Sequence, residues 1–70
     1  MTKVEFGKIL KRSRLIKDKT QGECAINCNI SIEAYRKWEC GFSLPRANNL
    51  DKICAFLDIP SEIKEEVSKL

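Results

Sequence analysis

The sequence contains no histidine, which removes the side chain most used for proton transfer near neutral pH and the commonest nitrogen ligand for metals. Its four cysteines, Cys24, Cys28, Cys40 and Cys54, lack the C-x2-C spacing of a tetrahedral zinc site, so no metal centre is expected. Cys24 and Cys28 stand four apart on one helix face, about 5–6 Å at Cβ, too far for an unstrained disulfide. There is no nucleophile motif, and a chain of 70 residues is too short to form a deep pocket, so no enzyme activity is expected. No apolar run approaches the roughly 18 residues that cross a bilayer, and no charged region followed by an apolar one opens the chain. Neither membrane, cofactor nor small-molecule ligand is therefore expected, and the protein is expected to be cytoplasmic.

What is present is the composition of a folded globule, 43% hydrophobic and 33% charged, rather than of a disordered chain. Residues 1–70 make one domain, and a chain this small buries only about 60% of its unfolded surface, leaving a stability of roughly 3–5 kcal/mol. The net charge of +3 is unevenly spread: residues 1–20 carry +5, residues 21–50 carry none and residues 51–70 carry −2. Taken alone such a charge run reads as a solvated helix face; beside a DNA-binding motif the positive end is where a nucleic-acid phosphate would lie.

The chain is organised around Thr20 to Gly41, TQGECAINCNISIEAYRKWECG. Thr20 and Glu23 form a capping box that starts a helix at Gln21. Cys24, Ala25 and Cys28 supply its apolar stripe. Asn29 readily takes the left-handed conformation that ends a helix, and Ser31 is a good cap for the next one. In that second helix Tyr35 and Trp38, at i and i+3, share the packed face, while Glu33, Arg36 and Lys37 point elsewhere. Gly41 follows as the helix stop.

The flanks read as further helices. Thr2 and Glu5 form another capping box, starting a helix that runs to about Lys17 with Phe6, Ile9, Leu10 and Ile16 as its apolar stripe and Leu15 at its edge. Phe42 and Leu44 either face outward or fold back on the core. A fourth helix runs from about Ala47 or Asn48 to Leu57, with Leu50, Ile53, Cys54 and Leu57 inward. After Pro60, Ser61 is read as the cap of a last short helix whose Ile63, Val67 and Leu70 either close the core or form a dimer interface. The expected fold is all-α, a compact five-helix bundle.

The run T-Q-x-E-x-A-x(4)-I-S, followed by W-E-x-G at Trp38 to Gly41, resembles the helix-turn-helix of the XRE-type family, which includes the lambdoid phage repressor and Cro proteins. The resemblance extends to Phe6, Gly7 and Arg14 upstream and to Pro45, Leu50, Ile53, Leu57 and Ile59 downstream. It implies a lambda-repressor-like DNA-binding domain acting as a small transcriptional regulator, Cro-like and repressing, bacterial or phage-encoded and nucleoid-associated. In the family the helix after the turn enters the major groove, which here assigns base reading to Ile32, Glu33, Ala34, Arg36 and Lys37. Ile32 and Ala34 suit thymine methyls, Glu33 a cytosine amine, and Arg36 or Lys37 guanine O6 and N7. Phosphate contacts fall to Thr20, Gln21, Ser31, Cys40, Phe42 and Arg46, with the free N–H groups at the start of the second helix helping. Arg14 and Glu39 are implied to form a structural ion pair. By comparison with the family, Lys19 and Ser13 stand at commonly apolar positions and thin the core at the first corner. The partner is double-stranded DNA, a palindromic operator bound by a weak homodimer, paired through the loop after Gly41 and the C-terminal segment. Cys40 is expected to be exposed, where oxidation would add bulk beside a phosphate contact. The alternative is a protein-interaction module of the same fold, of antitoxin or anti-repressor type, suggested by the sparsely basic loop and by Ile26 and Ile32, both expected to be exposed.

Overall fold

A computed structural model describes residues 1–70. It has five helices: α1 (Lys3–Ile16), α2 (Gln21–Cys28), α3 (Ile32–Cys40), α4 (Ala47–Phe56) and α5 (Ser61–Ser68), with no strand. They form a bundle measuring 26 × 21 × 20 Å. No helix is long and apolar enough to cross a membrane.

Local chemistry sets where the helices begin. Thr2 with Glu5, and Thr20 with Glu23, make complete capping boxes, and the Ser31 hydroxyl accepts from the Ala34 amide. The ends share one device. In α1 to α4 a 6→1 hydrogen bond closes the last turn: Lys19 N–H to Arg14, Ile30 to Ala25, Phe42 to Lys37 and Ile59 to Cys54. Each closure needs a left-handed residue, supplied by Asp18, Asn29, Gly41 and Asp58.

α1 lies on α3, α2 on α3 and α4, and α4 on α5. The core gathers Phe6 and Leu10 from α1, Cys24, Ala25 and Cys28 from α2, Tyr35 and Trp38 from α3, then Leu50, Ile53, Cys54, Leu57, Ile59 and Val67. Tyr35 and Trp38 meet edge to face, ring centres 5.7 Å apart. α1 can approach α3 closely because of Gly7: a Cβ there would stand 2.4 Å from the Glu39 carbonyl oxygen.

Four sequence expectations are corrected. Ile16 is 74% exposed. The buried face of α1 runs Phe6, Leu10, Arg14, and Ile16 stands about 200° round the helix from Arg14 at 100° per residue. Ser61 is the first helical residue rather than the cap, because the Pro60 carbonyl already accepts from Ile63 and Lys64. Leu70 lies beyond α5 and is exposed, so only Val67 and, in part, Ile63 close the core there. Lys19 does not simply thin the first corner: its ammonium sits over the Phe56 ring, 5.2 Å from the centre. Of the pair left open in the loop, Leu44 packs on the core and Phe42 is 78% exposed.

Candidate nucleic-acid interface

The start of α2, the turn Asn29-Ile30-Ser31 and the outer side of α3 form one continuous surface. Asn29, at φ 55° and ψ 46°, reverses the chain, and Ile30 tucks partly under the core. Ser31 then restarts the helix. Tyr35 and Trp38 hold α3 from behind, 0% and 5% exposed. Glu33, Arg36 and Lys37 consequently face outward and are exposed. Ile32 and Ala34 are half-buried, and Ile32 packs against the core, so the aliphatic surface available at the head of α3 is smaller than the sequence suggests.

Beneath this surface runs a chain of polar contacts. Arg14 grips Glu39 with both limbs of its fork, Nε to Oε2 at 2.7 Å and Nη2 to Oε1 at 3.2 Å, and its remaining Nη1 donates to the Lys19 carbonyl. Both side chains are buried. The Gln21 amide donates to Glu39 Oε1 at 3.1 Å, while its carbonyl accepts from Arg36 Nε at 3.1 Å. Gln21 thus links the buried ion pair to an exposed cation. Nothing in a single sequence signals that link, since its four members lie on three helices, Arg14 on α1, Gln21 on α2, and Arg36 and Glu39 on α3.

Burial alone would raise the Glu39 pKa, but hydrogen bonds from Arg14 and Gln21, the Tyr35 hydroxyl nearby and the Arg14 charge outweigh it and hold the carboxyl below its ordinary range. The same hydrogen bond to Glu39 raises the Arg14 pKa against its desolvation. Burial keeps the Tyr35 hydroxyl protonated. That hydroxyl lies beside Glu39 and Cys24, yet no partner meets it with good hydrogen-bond geometry.

The positions assigned to phosphate contact divide by what they have left to offer. The Thr20 and Ser31 hydroxyls accept from the Glu23 and Ala34 amides, and each still has its O–H to donate. The first N–H groups of α2, those of Gln21 and Gly22, have no protein partner and point along a helix dipole that favours an anion. They open beside a cleft lined by Lys11, Arg14, Lys19, Thr20, Gln21, Glu39 and Cys40. Cys40 is exposed there. Phe42 donates its N–H to the Lys37 carbonyl at 2.9 Å, so what it offers outward is its ring. Arg46, the residue before α4, makes no side-chain cap and is exposed.

No group of three His, Cys, Asp or Glu side chains converges to hold a metal ion. Cys24, Cys28 and Cys54 are buried free thiols whose pKa values burial pushes up. No protein-family model matches this chain, and no curated protein matches it.

Proposed function

We propose that this chain is a small double-stranded-DNA-binding regulator of the XRE type, with a lambda-repressor-like fold. In this reading α3 enters the major groove and the start of α2 rests on the phosphate backbone. The observation that carries it is the disposition of α3: two buried aromatics anchor one side, and Glu33, Arg36 and Lys37 on the other are exposed, with only the Gln21 side chain reaching across to Arg36. The unpartnered amides of Gln21 and Gly22 suit a phosphate, and the +5 charge of residues 1–20 suits a polyanion. Arg36 and Lys37 would donate to guanine, with Ile32 and Ala34 limited to edge contacts with thymine methyls. A two-fold operator would be bound by two copies of the chain. Repression is the simplest outcome, since occupying an operator requires no surface beyond the one that binds it.

Selection from randomised duplexes with the purified protein tests the proposal. It predicts a palindromic consensus, a changed base preference for Lys37→Ala, and weaker binding at all sites alike for Arg46→Ala. Selection that enriches no sequence would reject it.

A protein-interaction module of antitoxin or anti-repressor type is the second reading. It is favoured by the exposed Ile26 and Phe42, 80% and 78% accessible, flanking a surface of no net charge. It predicts that Ile26→Ser abolishes a protein complex and that no duplex is enriched.

A further inference from the structure

The outer face of α1 carries a stripe that its own fold leaves unused. Lys8, Arg12 and Ile16 recur every four residues, with Lys11 and Leu15 beside them, and together they line a shallow groove on the surface. All five are exposed. None of the three cations takes part in the ion pairs of the structure, which join Arg14 to Glu39, Lys17 to Asp58 and Lys64 to Asp51. Cations three and four apart on one helix repel, so this stripe works against its own helix.

The outer face of α5 carries the opposite pattern in the same order. Glu62 and Glu66 stand four residues apart, with Glu65 beside them, and all three are exposed. Each stands 54 residues after its counterpart: Lys8 with Glu62, Lys11 with Glu65 and Arg12 with Glu66. These carboxylates also have no cation partner in the structure's ion pairs and repel one another in the same way.

We propose that these two stripes bind each other between copies of this chain, α1 of one against α5 of the next, side by side and parallel. Helices of equal rise keep such a register over one turn. Lys8 and Arg12 then face Glu62 and Glu66 along the seam, Lys11 and Glu65 lie at its two edges, and the repulsion within each stripe is relieved. Intermolecular pairing answers both stripes at once, which an unrelated acidic partner would not. A contact of this size falls well short of the roughly 800 Å² per partner typical of a stable dimer. Association is therefore concentration-dependent and weakened by salt, because the charges are on the surface. The contact rests on the proposal that copies pair.

Sedimentation equilibrium on the full chain, free of DNA, tests it. The mass should rise above the 8.0 kDa of one chain with concentration and fall back toward it as salt increases. Arg12→Glu and Glu66→Arg should each weaken association about tenfold, and the two changes together should restore it. A double variant no better than either single change would overturn the contact. So would association that ignores these changes but is lost in Phe42→Ala, which would keep pairing and move it to the loop after α3. A chain that stays monomeric at all concentrations would reject pairing itself, while leaving duplex binding by single copies open.

Discussion

Arg14 on α1 and Glu39 at the end of α3 meet through two parallel hydrogen bonds, 2.7 and 3.2 Å, with 11% and 5% of their side chains exposed. This bidentate geometry is the strong form of an ion pair. It ties the first helix to the far end of the one proposed to read DNA. Glu39 also receives Gln21, and Gln21 receives Arg36, so the pair orders the outer surface as well as the core.

Removing Arg14 leaves a buried carboxylate without its cation, at a typical cost of about 3–5 kcal/mol. A domain this small has roughly that much stability in total. Arg14→Ala is therefore expected to be largely unfolded at 25 °C by far-ultraviolet circular dichroism. A urea midpoint equal to that of the unmodified chain would contradict this.

Acid should act on the same contact. The Glu39 carboxyl is held below its ordinary 4.5, so the folded state binds its proton less readily than the unfolded chain does. Its contribution to stability is complete above the unfolded value and is lost as the pH falls through the depressed folded one. Glu5 and Glu23 are also lowered, by hydrogen bonds to Thr2 and Thr20, and act with the same sign. Urea midpoints measured between about pH 6 and pH 3 should fall with acid, less steeply in Glu39→Gln. Equal slopes would show that Glu39 is not a principal acid-sensitive group.

Gly7 allows α1 to lie against the end of α3. A methyl group there would stand 2.4 Å from the Glu39 carbonyl oxygen and 2.8 Å from that of Trp38. Backbone, not a flexible side chain, is what it meets, so the helices must separate. Gly7→Ala should cost about 3 kcal/mol by urea denaturation, even though alanine is the better helix former. Unchanged stability would mean that the helices separate freely at this point.

Much of this fold was legible because the signals were local. The capping boxes at Thr2 and Thr20 and the cap at Ser31 each involve residues three apart, and the burial of Tyr35 and Trp38 follows from their spacing. Ile16 misled because an aliphatic residue near a helix end looks like core, whereas Arg14, a charged residue, holds the inward place. Its burial is tolerable only because Glu39 answers it, and that pairing came from the family resemblance, not from spacing. The tight approach at Gly7, the Lys19 ammonium over Phe56 and the Gln21 bridge depend on residues distant in sequence. They appear only once the helices are packed.

Thiol chemistry should separate the four cysteines sharply. Cys40 is exposed, whereas Cys24, Cys28 and Cys54 are buried, with pKa values raised by that burial. Because the thiolate is the reactive form, a disulfide reagent should modify one thiol quickly in the folded protein and the other three only on unfolding. Rapid modification of two or more would show that the α2 and α4 packing opens readily.

The salt dependence of binding to a duplex recovered by selection tests the central claim most directly. Neutralising phosphates releases counterions, so fluorescence anisotropy should show affinity dropping about a hundredfold between 50 and 200 mM salt. Lys37→Ala should keep nearly all of that slope while losing the preference for the selected sequence. Binding that is absent, or that does not change across this range, would contradict the account.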